Sequence, residues 1–598
     1  MNNLEKLNNL IINENAYFYH NSDNIYISDY RIKNLFALVS SVKSGHYLLN
    51  ERKKKIQSEE IHYSICVFKY ITKPTFIEEH IKNWFEEKLA YLLIVEIEDF
   101  IVISRKNISK IQDFTKLLHP LDYEVLSTLF IEDNTSFEKF SLKNLNVSDK
   151  ALREKTVEAI DLKENFSSLG ANNYLLSSLR ISNNNEKTTL MLNSSRINKF
   201  GKKNSIENFC KWSKEQVSKI KDHSVTSTFL SIFAEPQNYE EQRESLTPIS
   251  ILFNFSSIYN EVEQGLISKF ILIKKLENGE EIETEIKLTS FLNRFERLCK
   301  VQETNDDNTY KILNPISSDL ELKLNEKSIT VRSLKFKNIR IIYSNGNNVS
   351  IVDYINNKNS FIINFDNIDL AYSNRKLFRD NKLLGNVENF LKIFKPNQQL
   401  INVTSEKGKP ATTARFFEEE SIFRFVEDTF FDNYNYAICD DLGREWADHI
   451  CVSDDKIAFI HSKFNTSLAS ASAFQDIVGQ AQKNLGNITP QDFQLDTKKN
   501  LWINNYSSTN ISRLRKGNSV DEFIQAIKNT STNPYLKKEV ILVINFISKN
   551  SLEIFLNNLI SENRFTERSE AIQILWLISS LISSCQELNT EVTIYCRP

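Results

Sequence analysis

Two apolar runs flank the pair Asp454-Asp455 in the segment Asp440–Lys463, DDLGREWADHICVSDDKIAFIHSK, and their spacing predicts a tight β-hairpin. With Val452 paired to Ile457 across the turn, an antiparallel register sets Asp448 opposite His461 and Trp446 opposite Lys463. Side chains alternate between faces along a strand. Trp446, Asp448, Ile450 and Val452 therefore share one face, and Ile457, Phe459, His461 and Lys463 project to that same face. A carboxylate, an imidazole and an ammonium converge at one end of an otherwise apolar surface. Burying such groups is costly unless they pair or bind something, which makes this end of the hairpin the candidate functional site.

The hairpin occupies a small part of a long chain. At 598 residues one hydrophobic core does not suffice, and about two to four domains are expected. The 12 Gly and 10 Pro are few for that length, which argues against long flexible linkers. A net charge of −3, from 74 basic and 77 acidic residues, excludes a whole-protein field that would hold nucleic acid, so any such binding needs a local patch. Seven cysteines lie scattered with no CxxC pair, which speaks against a zinc site and suits reduced thiols. The start, MNNLEKLNNLIINEN, lacks the pattern of a signal peptide. The longest apolar stretch, Ile572–Ile582, is too short to span a bilayer and contains Gln573, so a core helix is the better reading. The expectation is a cytoplasmic protein with no membrane partner.

Three regions are expected. Residues 1–150 read as a mixed α/β domain, with strands over 61–71 and 89–104 and a helix over 76–89 between them. Residues 151–400 form a strand-rich recognition or scaffold region, with Ser148 as a helix cap near its start and SITVRSLKFKNIRIIYS among its strands. Residues 401–598 open on a polar break that contains KGKP. There the pattern predicts a helix over 414–431 and strands near 434–439, 445–452 and 456–463. A helix over 471–485 and a strand near 500–504 follow. The chain closes with a strand over 539–547, helices over 551–560 and 567–583, and a strand over 591–596 that joins the same sheet.

The order αβββαβ over 414–504, with Asp448 in the second strand and the triplet His461-Ser462-Lys463 in the third, resembles the PD-(D/E)XK nuclease superfamily. Gln480 and Lys483 in the next helix fall where many members keep a Gln and a basic or aromatic residue. The resemblance covers roughly 405–598, a third of the chain, and extends to nuclease domains of bacterial defence proteins. It implies a restriction-endonuclease-like core that hydrolyses phosphodiester bonds with Mg²⁺ or Mn²⁺. DNA is favoured over RNA as substrate, the role is defence against phage or plasmid, and a protein partner from a defence operon is conceivable. Asp448 would hold the metal, Lys463 would orient water or stabilise charge, and Gln480 and Lys483 would touch phosphate or water.

The chain departs from the family where His461 replaces the acid two residues before the lysine. Imidazole suits Mn²⁺ or other transition ions better than Mg²⁺. His461 is a metal ligand, or another carboxylate completes the site, or catalysis is lost and a nucleic-acid- or partner-binding protein remains. Glu420 and Glu427 are the first candidates for that carboxylate, because Phe416, Glu420, Phe423, Glu427 and Phe430 form one helical stripe. They also suit the flank of a buried stripe. Asp440 and Asp441 are rival donors, though turn residues are their commoner role. His449 points away from Asp448 and reads as structural.

Two basic clusters are candidates for a nucleic-acid backbone: Arg196, Lys199, Lys202 and Lys203, and Arg513, Arg515 and Lys516. Solvated surface charge is the plainer reading of each. No phosphate-binding loop, serine-hydrolase elbow or HExxH pair occurs in the sequence.

Overall fold

A computed structural model describes the chain apart from residues 1–2, 41–46, 57–59, 73, 75–76, 78–80, 82, 109–110, 146–151, 167–173, 227, 277–279, 345–346, 381–386 and 562–563. It is mixed α/β with several sheets and two compact units. One unit comprises 1–162 with 173–381, and the other 382–598 with 163–172. Among the described residues all seven cysteines are free and buried, and no helix is long and apolar enough to cross a membrane.

In the first unit the described residues form antiparallel sheets of eleven, nine and four strands. The largest is built on a long hairpin in which Ile61–Thr72 pairs with Glu86–Ile97. Glu86–Leu89, expected to end a helix, instead begin this strand, because the apolar run that follows them pairs along its whole length. Of the rest of that expected helix, residues 76, 78–80 and 82 lie outside the described residues, as does Ser148, and residues 77, 81 and 83–85 are not helical. The strand Ile11–His20 pairs on one side with Phe100–Lys106 and on the other with Arg196–Ser205. A boundary near 150 therefore falls inside a single sheet. The run expected as one strand over 328–344 is broken. Ser333 accepts a hydrogen bond from the Phe336 amide and caps the short helix Leu334–Lys337, which separates Ile329–Arg332 from Ile339–Tyr343.

The second unit is one mixed sheet with helices on both faces. Its elements are β1 (Phe394–Pro396), α1 (Ile422–Phe430), β2 (Tyr436–Cys439), β3 (His449–Val452), β4 (Lys456–Lys463) and α2 (Ala471–Asn484). They continue with α3 (Asp492–Trp502), β5 (Leu514–Lys516), α4 (Val520–Ser531), β6 (Lys537–Ser548), α5 (Lys549–Ile560), α6 (Arg568–Gln586) and β7 (Thr590–Arg597). The strand order is β1-β7-β6-β4-β3-β2-β5. β2, β3 and β4 form an antiparallel meander, β6 then adds parallel to β4, and β7 adds parallel to β6.

Alternation along β3 and β4 divides the core. Ile450, Val452, Ile457 and Phe459 pack with Phe474, Ile477, Phe523, Leu556 and Ile578 from α2, α4, α5 and α6. Cys451, Ala458 and Ile460 pack with Ile422, Phe425 and Val426 of α1 on the other face. Two expected elements differ. The helix expected from 414 starts at Ile422, because the Ser421 side chain accepts from the Arg424 amide and sets the N-terminus there. The strand expected near 500–504 is the last turn of α3, whose Leu495, Lys498 and Trp502 share a buried helical face.

Candidate functional site

The hairpin register follows the spacing of its apolar runs: His449 pairs with Ile460, Ile450 with Phe459, Cys451 with Ala458 and Val452 with Ile457. The ladder ends there. Trp446 does not continue it toward Lys463; its indole stands edge-on to Trp502 at 5.7 Å. The Asp448 amide donates to the Ile460 carbonyl at 3.1 Å, and the Asp448 carboxylate accepts from the Ser462 amide at 2.6 Å. Asp448 is only 3% exposed. Burial holds its carboxyl well above the usual carboxylate range. The Ser462 amide opposes that shift, the charges of Asp441 and Glu406 add to it, and Lys407 opposes it.

Glu406 and Lys407 come from an irregular strap, not from the helix stripe. The Thr404 amide donates to the Glu420 carbonyl at 2.8 Å, and the Ile422 and Phe423 amides donate to the carbonyls of Ser405 and Glu406, each at 3.0 Å. The strap is thus laced to the start of α1. Gly408 turns it at φ +72°, where a side chain is strained. A Cβ there would also collide with the Glu418 carboxylate, which accepts from the Lys409 amide at 2.8 Å. Lys407 Nζ sits 2.8 Å from Asp441 and 5.3 Å from the centre of the Phe423 ring. Burial works to lower the Lys407 pKa, but Asp441, Glu406 and Asp448 outweigh it and the net shift is upward. Glu406 Oε2 lies 3.4 Å from the Phe464 amide, just past the end of β4.

Asp448 immediately precedes β3, and Lys463 ends β4. Its ammonium is 3.6 Å from Asp476, with the side chain one-third exposed. Asp476, Gln480 and Lys483 recur at i, i+4 and i+7 and share one face of α2. Gln480 Nε2 donates to Glu445 at 3.1 Å. Lys483 is exposed and acts on His461, whose imidazole is pushed down to about 3 by burial first and by Lys483 second. His461 is fully buried, and neither ring nitrogen has a hydrogen-bond partner. His449 lies on the other face, 4.7 Å from the Phe423 ring, and burial likewise pushes it down to about 3.

The expected ligands Asp448, His461, Glu420 and Glu427 do not converge. Glu427 is buried and bound by both arms of Arg515, at 2.5 and 2.8 Å. Glu420 is exposed outside α1 and takes the Thr404 hydroxyl at 3.3 Å. Asp440 is fully committed as well: it accepts from Lys498 Nζ at 2.7 and 2.6 Å, from Trp502 Nε1 at 2.7 Å and from the Trp446 amide at 2.8 Å. Asp441, named from the sequence as a rival donor though with a turn as its commoner role, and Glu406, unmarked by any sequence pattern, are the carboxylates whose charges act on Asp448.

The carboxyl groups of Asp448, Glu406 and Asp441 beside the ammonium of Lys407 make this end of the sheet rich in oxygen, the ligand type that suits Mg²⁺ or Mn²⁺. Among the described residues, no three His, Cys, Asp or Glu side chains close around one point. One or two carboxylates, completed by water and substrate phosphate, are the usual complement for Mg²⁺. Asp448 with Glu406 or Asp441 fits that pattern.

Neither basic cluster presents a free row of charges. Arg513 is 6% exposed and donates to the carbonyls of Cys439 and Asp441. Arg515 is held by Glu427, and Lys516 Nζ donates to the Phe431 carbonyl at 2.7 Å. These three side chains serve the interior of the domain and are not available as phosphate contacts. In the other cluster Lys199 and Lys202 share Glu186, and Arg196 donates to Asn15 at 2.7 Å; Lys203 is exposed. Comparison of the chain with protein-family models, curated proteins and solved structures returns no match.

Proposed function

We propose that the second unit is a metal-dependent nuclease of the PD-(D/E)XK kind that hydrolyses phosphodiester bonds, with DNA as the favoured substrate. The observation that carries this reading is the sequence α1-β2-β3-β4-α2 followed by β6 parallel to β4, with Asp448 and Lys463 at the same end of adjacent strands. The last strand of the αβββαβ order expected over 414–504 is absent, since 500–502 close α3, and in this reading β6, after α3, β5 and α4, takes its place. Asp448, with Glu406 or Asp441, would hold Mg²⁺ or Mn²⁺. Such an ion supplies a Lewis acid and an activated water when bound.

The protein's own groups have distinct tasks in this reading. Lys463 faces partly to solvent and stabilises negative charge as it develops on phosphate. Gln480 and Lys483, on the exposed side of α2, orient the substrate strand. His461 is buried and neutral near pH 7, so it shapes the site without entering it. A role in bacterial defence, with a partner protein from the same operon, belongs to this proposal through the family resemblance alone.

The test is incubation of the full chain with plasmid DNA, single-stranded DNA and RNA in Mg²⁺, in Mn²⁺ and in excess chelator. Metal-dependent cleavage of DNA that chelator abolishes is expected. Nucleic-acid binding without turnover in either metal would favour the second reading, a catalytically inactive binding protein. That reading draws on the burial of Asp448 and on the ammonium of Lys407 already paired with Asp441.

A further inference from the structure

The first unit holds a cavity of about 330 Å³ whose lining has a one-sided charge. Lys116, Arg375 and Lys376 line it, and among the described residues no Asp or Glu does. In a chain whose acids outnumber its bases, 77 to 74, that is an unusual local balance. Four asparagines, Asn193, Asn357, Asn359 and Asn374, add amides that both donate and accept. Tyr19 and Phe378 add aromatic surface, with Phe378 braced edge-on by Tyr123 at 5.5 Å.

The groups are held rigidly. Ser373 pairs with Lys376 across a two-residue turn in which Asn374 and Arg375 both have positive φ, 51° and 62°. That is the tight mirror-image turn of a β-hairpin, and it fixes where Asn374, Arg375 and Lys376 point relative to their strands. The Asn374 amide nitrogen is buried and has no hydrogen-bond partner. A buried donor left unpaired costs free energy that a ligand acceptor recovers. Among the described residues Lys376 forms no ion pair; Asp122 and Glu124 act on it only through space, against a burial that lowers its pKa. Burial raises the pKa of the Tyr19 phenol, and the charges of Arg105 and Arg375 oppose that shift.

We propose that this cavity binds one free nucleotide, with Lys116, Arg375 and Lys376 on its phosphates, asparagine amides on the edge of its base and Tyr19 against the base face. The volume lies at the lower end of the range of small-molecule sites, and the lining matches the three parts of a nucleotide: an anion, a hydrogen-bonding edge and an aromatic plane. The inference does not depend on the nuclease reading, which concerns the other unit.

Calorimetry and thermal shift on the full chain, with ATP, GTP, CTP, UTP and AMP as probes and inorganic phosphate as control, test the proposal. At least one nucleotide is expected to bind one-to-one and raise the melting temperature. Lys376→Gln should weaken that binding by about tenfold or more, the loss of one charge-assisted contact. Asn374→Gly keeps the positive φ of the turn and removes the side chain with its amide, so it should weaken binding several-fold with the unliganded melting temperature little changed. The proposal fails if no nucleotide binds at millimolar concentration, or if phosphate alone binds as tightly as the best nucleotide. It also fails if oligonucleotides bind and free nucleotides do not, or if both variants bind as the wild type does.

Discussion

The Ser462 backbone amide donates to the Asp448 carboxylate at 2.6 Å, and this bond locks the entry of β3 to the exit of β4. Because the donor is main chain, no substitution at position 462 other than proline removes it directly. The carboxylate is therefore aimed by the hairpin itself. Its companions Glu406 and Asp441 are brought up by an irregular strap and by the turn after β2.

Asp448→Asn keeps an oxygen that can accept from Ser462 and removes the charge. Burial raises the native pKa above its unfolded value. The ionised carboxylate therefore costs stability as pH rises through that native pKa, and the contribution of the neutral form is complete only below the unfolded value. Asp448→Asn should thus match or exceed the wild type in urea denaturation at pH 7 without metal, while Asp448→Ala loses about 1–3 kcal/mol through the unpaired Ser462 amide. Equal stability of the Asn and Ala variants would contradict the hydrogen-bond account.

Lys407 is the internal ammonium among Glu406, Asp441 and Asp448. Lys407→Met leaves three carboxylates unopposed, so Mn²⁺ should raise the melting temperature of this variant by more than it raises that of the wild type. Glu406→Gln should reduce cleavage by about a hundredfold, through the loss of an anionic oxygen that would hold the ion. Full activity in Glu406→Gln would remove Glu406 from the site and leave Asp441 as the companion of Asp448.

Arg515 and Glu427 form a buried, two-point ion pair. Arg515→Met is expected to destabilise the protein by about 3–5 kcal/mol, because it strands the Glu427 charge. The salt dependence of DNA binding, measured below the melting temperature, should stay unchanged. A shallower slope of affinity against salt would show that Arg515 reaches phosphate after all.

His449 and His461 are both held neutral by burial, each near 3 against an ordinary 6.5. Their native pKa values lie below the unfolded ones. Their stabilising contribution is full above about pH 6.5 and is lost progressively as pH falls toward about 3. His461→Leu, which also removes two buried ring nitrogens without partners, should flatten the loss of stability over that window. Denaturation curves from pH 7 to pH 4 read this directly; parallel losses in wild type and variant would contradict it.

The sequence carried the regular parts of the second unit well. β4 begins and ends where its alternation does, and α2, β6 and β7 lie within three residues of their expected bounds. Their signal is periodic burial on two faces. The site is less legible because its added carboxylates sit in non-periodic backbone. Glu406 lies in a polar strap whose pairing with Ser421 and its neighbours is an isolated bridge, and such a bridge leaves no pattern in composition. The stripe that pointed to Glu420 and Glu427 assumed a helix through 416, but that helix starts after Ser421, and Phe416 is 60% exposed. Asp440 looked like a turn residue because its partners, Lys498 and Trp502, are about sixty positions away, and Trp502 was read as part of a strand, not of the helix it shares with Lys498.

The most direct measurement is the cleavage rate of plasmid DNA in Mn²⁺ by wild type, Asp448→Asn and Lys463→Gln, each first shown to have an unfolding midpoint like that of the wild type. The account predicts cleavage by the wild type and at least about a hundredfold loss in both variants. Equal rates in all three proteins would contradict it, because the hairpin end where β3 begins and β4 stops would then have no part in the chemistry.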